Sequence, residues 1–277
     1  MTGPREGLSV VMIGRNEEAF LDLSLPPLVG TVDEIVFVDT GSTDRTLALA
    51  EARGCRIFRH DWADDFSAPK NFGIHQARCA WILNVDCDEA LVVEPGTRDW
   101  IASHCLAARP EPAFIVTLDN LMADGSRVRQ EALRLFRNDE RIRFRNPVHE
   151  SVCDAVYQHW PRQPPGRAEL TLRHHGYRQG TNREKLRRNV HILRQWLQRE
   201  PDTLFGNYKL GTNLLHLGGT GEGLFFLGRA FGLLCQVPDR ISYPFADQLV
   251  TLYFQELLRA GRPDEARQVR EIVAAWG

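Results

Sequence analysis

Two carboxylates, Asp86 and Asp88, are the residues whose types and spacing most directly suggest chemistry. They follow an apolar run, residues 80–83, that predicts a strand buried on both faces. Carboxylates crowded at one sheet edge repel one another, and a hard divalent cation such as Mg²⁺ or Mn²⁺ relieves that repulsion while sharing substrate phosphates. A solvated acidic turn is the plain alternative, because Asp-x-Asp is a weak motif.

Other polar residues follow predicted strands or begin predicted helices nearby. Asp39 ends an apolar stretch and is placed to accept a hydrogen bond from a ribose hydroxyl or a base N–H, or to form a turn. Lys70 and Asn71 lie at the start of a predicted helix, where charge and the helix N-terminus favour a diphosphate. An ordinary surface lysine is the alternative for Lys70.

The elements that must position these residues alternate between strand and helix. Apolar runs predict strands over 8–13, 34–39, 55–58 and from Trp81. The segments between them have helical patterns, and Ser42 or Thr43 is predicted to cap the helix that carries Leu47. This alternation predicts a parallel α/β sheet, whose strand carboxyl ends form one ligand-binding edge.

Composition narrows the class of protein. The chain has 277 residues, a net charge of −2 and six scattered cysteines. The charge gives no support to nucleic-acid binding. No apolar run is long enough to span a bilayer and the N-terminus lacks a signal segment, so we expect reduced thiols in a cytoplasmic protein. A peripheral contact with the inner face of the membrane stays open.

The last third of the chain changes to a helical pattern. We predict a domain over 1–180 and a helical extension over 181–277. Residues 210–230 resemble one tetratricopeptide helix pair, and residues 257–266 echo it. Such a short array seldom stands alone, so it is expected to pack on the first domain or on a second copy, as a homodimer. Its phenylalanines, at positions 225, 226, 231 and 245, are assigned to its core.

Four motifs in order carry a family resemblance. They span residues 15–18, 39–44, 64–71 and 81–89. This order resembles the family 2 glycosyltransferases of the GT-A fold, in the bacterial branch with a tetratricopeptide-like tail. The resemblance implies a mostly parallel sheet flanked by helices, with an all-α C-terminal extension. It also implies inverting transfer from a nucleoside diphosphate sugar, with UDP as the expected nucleotide.

The same resemblance implies roles for individual residues. Asp39 would hold the uracil or ribose, Lys70 the nucleotide and Asp86 the ribose, while Asp88 would ligate a Mn²⁺ or Mg²⁺ that bridges the diphosphate. The other residues expected at the donor are Arg15, Asn16, Glu17, Asp44, Asn71 and Cys87. Lys70 stands where many relatives have Arg, and Cys87 where Ala is common, which blurs the identity of the donor.

Two further sites are implied in the middle of the chain. Glu150 is the candidate base that takes the acceptor hydroxyl proton, with His149 orienting it or touching a phosphate. A structural salt bridge for Glu150 is the alternative, because arginines recur between positions 127 and 145 and one or two of them are candidates to grip an anion. His174, in a His-His-Gly-Tyr segment ending at Tyr177, is expected to reach the metal, where imidazole favours Mn²⁺ over Mg²⁺; a strand-end histidine bonded to backbone is its alternative.

The acceptor stays open, and three rival functions are disfavoured. A glycan, a lipopolysaccharide core and a polypeptide all fit as acceptors. A sugar nucleotidyltransferase is disfavoured because residues 14–17 are too acidic and poor in glycine. A helical-repeat scaffold with a decayed catalytic domain is disfavoured because the candidate acids are intact. A glycosidase is disfavoured because Asp86 and Asp88 share one strand end.

Overall fold

A computed structural model describes residues 4–106, 109–176, 183–238, 240 and 243–276. The chain divides into two compact units, Met1–Thr181 and Asn182–Gly277. Residues 177–182 lie outside the described ranges, and with them Tyr177 and the predicted domain boundary at 180/181. None of the six cysteines forms a disulfide. No helix among the described residues is long and apolar enough to cross a membrane.

The first unit is built on one mixed sheet. Its strands are β1 (Arg5–Gly14), β2 (Glu34–Asp39), β3 (Arg56–Arg59), β4 (Cys79–Asn84), β5 (Glu89–Leu91), β6 (Ala113–Leu121), β7 (Arg127–Arg137) and β8 (Gly166–His174). Its helices are α1 (Glu18–Ser24), α2 (Thr46–Ala52), α3 (Ser67–Gln76), α4 (Thr97–His104) and α5 (Cys153–His159). The strand order is β3-β2-β1-β4-β7-β6-β8-β5.

The N-terminal half of the sheet is parallel, as the alternation of strands and helices predicts. β2, β1 and β4 are buried along their apolar runs, and Gly14 lies beside Asp39 where β1 and β2 end together. The other half is mixed. β7 pairs antiparallel with β4 and β6, after a turn at Gly125, and β5 pairs antiparallel with β8. The α/β fold is confirmed, and antiparallel strands extend its parallel core.

The predicted cap of α2 is wrong. The helix begins after Arg45, and the N–H of Thr46 donates to the Asp44 carboxylate at 2.9 Å. Ser42 and Thr43 instead bond to Asn16 in the loop after β1. Ser42 and Thr43 therefore bond to the loop after β1, although the pattern of nearby residues predicts that they cap the helix.

A buried carboxylate, Glu34, anchors the start of β2. It accepts hydrogen bonds from Ser9 Oγ at 2.5 Å and the Arg78 N–H at 2.9 Å, and it pairs with Arg56. Burial alone would raise the pKa of Glu34, but the hydrogen bonds from Ser9 and Arg78 and the pairing with Arg56 outweigh it and lower the pKa.

Replacing Glu34 should therefore destabilise the protein in a pH-dependent way. A carboxyl group whose pKa is lower in the folded state contributes stability above its unfolded pKa, and this contribution is lost as the pH falls through the folded pKa. We expect Glu34→Gln to lower the free energy of unfolding by about 1–3 kcal/mol at pH 7. Urea denaturation should show the difference shrinking below pH 4; a difference independent of pH would contradict this account.

The second unit is helical in its described residues. Its helices are α6 (Arg183–Arg199), α7 (Leu204–His216), α8 (Thr220–Gln236), α9 (Ala246–Arg259) and α10 (Pro263–Ala274). α7 packs on α8 and α9 on α10, so two helix pairs follow α6. The all-α extension is confirmed. Phe231 lies in its core, but Phe225 is 58% exposed, so the core assignment of Phe225 is wrong.

Two glycines allow α7 and α8 to approach closely. A Cβ atom at Gly211 would lie 3.0 Å from the carbonyl oxygen of Gly223 and 2.8 Å from Leu227 Cγ. We expect Gly211→Ala to destabilise this unit by about 1–3 kcal/mol through overpacking. Gly232→Ala is the control, because nothing lies within 4 Å of its Cβ position in α8, and alanine there should stabilise the helix by about 0.5–1 kcal/mol. Thermal denaturation of both variants measures the contrast, and equal shifts would contradict it.

Candidate active site

Five charged side chains form one network at the carboxyl end of β4. Lys70 Nζ, from α3, lies 2.7 Å from Glu150 Oε1 and 3.1 Å from Asp86 Oδ1. Arg134 Nη2, from β7, lies 3.0 Å from Asp86 Oδ2 and 2.9 Å from Glu89 Oε1. Charges of opposite sign thus alternate from Glu150 to Glu89, and we call these five residues the charged network.

The charged network shifts the pKa values of its members. Burial would raise the pKa of Asp86, but Arg134 and Lys70 hold it well below its usual range. Burial would lower the pKa of Lys70, yet the charges of Asp86 and Glu150 raise it. Glu89 differs, because burial raises its pKa to about 7 against the attraction of Arg134. Asp86 is therefore ionised and Lys70 is an ammonium at neutral pH.

A second cluster, next to the first, joins β4, β6 and β8. His174 Nε2 lies 3.3 Å from Asp88 Oδ2, and His174 Nδ1 lies 3.0 Å from Asn120 Oδ1. Burial would lower the pKa of His174, but the hydrogen bond with Asp88 and its charge raise it. The structure thus brings together the two residues that the sequence predicts as metal ligands, 86 positions apart.

Asp88 and His174 fit a cation that takes only part of its coordination from the protein. In the described ranges, no group of three or more His, Cys, Asp and Glu side chains is arranged to hold a metal. A carboxylate and an imidazole match Mn²⁺, and Mn²⁺ or Mg²⁺ at phosphate sites commonly completes its shell with substrate oxygens and water. The metal itself stays a prediction.

A pocket of about 270 Å³ lies at the ends of β2 and β3. Its lining residues are Asp39, Thr40, Gly41, Ser42, Arg59, His60, Asp61 and Trp62. The Asp39 carboxylate is buried and accepts the N–H groups of Gly41 and Ser42, at 3.2 and 3.0 Å. The Asp39 carboxylate therefore stabilises the turn that follows it, which is the turn-forming alternative predicted from the sequence. The same turn forms one wall of the pocket.

Several residues predicted at the donor hold the surrounding loops together. Asn16 has a left-handed backbone, with φ of 58°, and accepts the Thr43 N–H at 2.8 Å. The Glu17 N–H donates to Thr46 Oγ1 at 2.7 Å, and Asp44 caps α2. Arg15 is exposed at the same edge. These contacts join the loops after β1 and β2; donor contacts of the four residues stay predictions.

Cys87 and Asn71 have side chains that serve the fold. The Cys87 thiol is buried and donates to the Ile13 carbonyl at 3.3 Å, and burial raises its pKa. A donor contact with Cys87 would therefore involve its main chain. The Asn71 amide accepts the Phe144 N–H at 2.8 Å and donates to the Phe144 carbonyl at 2.9 Å. This pair of bonds joins α3 to the chain that leads to Glu150, and the predicted donor contact of Asn71 stays a prediction.

The loop that carries Glu150 is tightly held. Its ends pair through Arg145 and Ser151, and the Pro147 carbonyl accepts the Phe66 N–H at 2.8 Å. Asn146 and His149 have positive φ values, 71° and 56°. Left-handed backbone at non-glycine residues costs free energy and is often found at functional sites. His149 is exposed, while Glu150 is turned inward to Lys70, so the predicted alternative of a salt bridge describes the observed contact.

Three residues of the site were not predicted from the sequence. Arg134 is only one of several recurring arginines, Glu89 extends the acidic stretch, and no local pattern marks Asn120. A signal existed for Glu89, which directly follows the two aspartates. Arg134 contacts Asp86 and Asn120 contacts His174 across 48 and 54 positions of the chain, so local patterns give no indication of these contacts.

The sequence of this chain is similar to those of known proteins. Residues 9–94 match the model of the family described as Glycosyl transferase family 2. A TPR repeat-containing protein of Synechococcus elongatus is 35% identical over 219 residues, which are 76% of this chain and 53% of that protein. The glycosyltransferase SunS of Bacillus subtilis is 24% identical over 234 residues, 82% of this chain and 50% of SunS. The chain thus spans about half the length of these curated relatives.

A solved structure has the same fold. The crystal structure of residues 1–349 of S. aureus TarS, in complex with UDP-GlcNAc, superposes with a TM-score of 0.54 over 97% of this chain and 91% of that chain, at 16% identity. At that identity, the likeness concerns the fold.

Proposed function

We propose that this chain, which residues 9–94 assign to glycosyl transferase family 2 and whose fold is GT-A, moves a sugar from a UDP-linked donor to an acceptor hydroxyl with inversion. The observation that carries the proposal is the convergence of Asp88, His174 and the charged network at the carboxyl edge of the sheet. UDP-GlcNAc in the TarS structure supports a uridine donor.

The donor is assigned to the edge formed by β1, β2 and β4. The pocket lined by Asp39 and Trp62 takes the uracil, since it combines a buried carboxylate with an aromatic side chain. Asp88 and His174 would hold Mn²⁺ or Mg²⁺, which, when bound, stabilises negative charge on the leaving diphosphate. Asp86, held ionised by Lys70 and Arg134, is assigned to the donor ribose.

Glu150 is assigned as the base. Its Oε1 pairs with Lys70, and Oε2 takes the proton of the acceptor hydroxyl as that oxygen attacks the anomeric carbon. The bond from the anomeric carbon to the diphosphate oxygen breaks, and its electron pair leaves with UDP. Attack opposite to the leaving group inverts the anomeric configuration. Lys70 holds Glu150 in place, because its buried ammonium is itself fixed by Asp86.

The test is calorimetric titration of UDP and of GDP into metal-free protein, with and without Mn²⁺. We expect UDP to bind more tightly than GDP, and Mn²⁺ to strengthen the binding at least tenfold. Binding of neither nucleotide would overturn the proposal and favour the scaffold interpretation. Tighter binding of GDP would change the assigned donor.

The acceptor is proposed as a glycan, a lipopolysaccharide core or a polypeptide, in keeping with the helical extension and with the likeness of the chain to a TPR repeat-containing protein. Incubation of the protein with the donor that binds and with candidate acceptors of each class, followed by mass spectrometry, distinguishes them. A mass increase of one sugar identifies the class.

A further inference from the structure

We infer that Asn120 is a positioning residue, which fixes the ring of His174 so that Nε2, and not Nδ1, is presented to the cation shared with Asp88. This inference rests on the proposed function, because it concerns the same metal site. Its basis is the set of hydrogen bonds that connects β7, β6, β8 and the residues after β4.

The orientation of the Asn120 amide follows from its neighbours. Asn120 is 3% exposed, and its Nδ2 lies 3.0 Å from the Val128 carbonyl oxygen across the β6–β7 pair. A carbonyl oxygen only accepts, so the nitrogen of the amide must face Val128. The amide oxygen then faces His174 Nδ1, at 3.0 Å.

This oxygen determines which nitrogen of His174 carries a proton. An amide oxygen only accepts, so Nδ1 must be the donor, and in a neutral imidazole the other nitrogen then has the lone pair. In the structure Nε2 hydrogen-bonds to Asp88 Oδ2 at 3.3 Å, and a cation bound between the two atoms would take the place of the shared proton and accept the Nε2 lone pair. Ligand histidines are commonly oriented by such a bond from the second ring nitrogen. Asn120 thus prepares Nε2 as a ligand.

The backbone around Asp88 and His174 also leaves space beside their side chains for a cation. The His175 N–H donates to the Asp88 carbonyl at 2.8 Å, which joins the two chain segments. A Cβ atom at position 176 would lie 2.3 Å from Asp88 Oδ2 and 2.8 Å from His174 Nε2, so Gly176 keeps side-chain atoms away from the two ligand atoms.

Two variants of Asn120 isolate the proposed role. Asn120→Asp and Asn120→Leu both lose the donor to the Val128 carbonyl, and they differ in whether an acceptor faces His174 Nδ1. In the presence of UDP, Mn²⁺ affinity is measured from the electron paramagnetic resonance signal of free Mn²⁺. We expect Asn120→Leu to weaken Mn²⁺ binding by about 10–100-fold, and Asn120→Asp to stay within a few-fold of wild type.

A spectroscopic readout tests the ring itself. With Cd²⁺ as a diamagnetic probe and UDP present, nitrogen NMR of histidine-labelled wild type should show a protonated Nδ1 and a metal-bound Nε2 for His174. Asn120→Asp should give the same pattern, and Asn120→Leu should lose it. Thermal denaturation of both variants checks that they fold.

The possible outcomes distinguish a failure of the positioning role of Asn120 from a failure of the proposed metal site. Equal losses of Mn²⁺ affinity in both variants, or no loss in Asn120→Leu, would overturn the positioning role while the metal site stands. Metal bound through Nδ1 in wild type would overturn it too. If wild type with UDP binds no Mn²⁺, or if His174→Ala binds it as wild type does, the metal assignment of His174 fails and Asn120 falls with it.

Discussion

Asp88→Asn should lower the rate of sugar transfer by about 10²-fold or more, because it removes a negative ligand from the proposed cation and so weakens stabilisation of the leaving diphosphate. Asparagine has nearly the same shape, and the hydrogen bond from His175 uses the Asp88 main chain, so the fold should persist. The rate is measured as UDP release from the donor that wild type accepts.

The cation dependence of UDP binding provides the second measurement. Asp88→Asn should bind UDP in the absence of metal as wild type does, yet lose the gain in affinity from Mn²⁺. Asp99→Asn is the control, because Asp99 is exposed in the first turn of α4. Transfer within tenfold of wild type in Asp88→Asn would contradict its role as a metal ligand.

Lys70→Met should be the most destabilising change in the site. Lys70 is 3% exposed and pairs with both Asp86 and Glu150, so its removal takes the cation from Glu150 and leaves Asp86 paired with Arg134 alone. Breaking a buried ion pair costs about 3–5 kcal/mol. Because the Asp86 side chain is 37% exposed, we expect about 2–4 kcal/mol from urea denaturation.

A double variant separates charge from packing. In Lys70→Met/Glu150→Gln, the carboxylate that loses its cation partner is replaced by a neutral amide, so the double variant should recover about 0.5–3 kcal/mol relative to additive losses. Arg45→Met serves as the control, because the Arg45 side chain is 79% exposed in its pair with Glu18 and such pairs contribute about 1 kcal/mol or less. A loss in Lys70→Met no larger than in Arg45→Met would contradict the account of the charged network.

The rate of transfer should also respond to Lys70. If Lys70 holds Glu150 as proposed, a variant that still folds in mild conditions should lose more activity than UDP affinity, because Arg134 still pairs with Asp86 and the uracil pocket is lined by other residues. This division between turnover and binding is measurable with the same UDP assays.

Short-range sequence patterns predict the strands and helices, because these elements depend on residues that are close together in the chain. The strand predicted at 34–39 coincides with β2, and the strand predicted at 8–13 lies within β1. Hydrophobic runs, helix patterns and turn residues act over a few positions, so they can be read directly. Since the carboxyl ends of parallel strands share an edge, the placement of Asp39 and Asp86 at the same edge of the sheet also followed.

Contacts between side chains that are far apart in sequence follow only from the tertiary structure. Arg134 reaches Asp86 across 48 positions because β7 lies beside β4, and Asn71 bonds to Phe144 across 73. His174 contacts Asp88 because β8 pairs with β5. The family resemblance also implies that both residues lie at the metal. Strand order is set by the burial of the whole sheet and not by any local pattern. For that reason the contacts of Arg134 and Asn120 follow only from the order of the strands in the sheet.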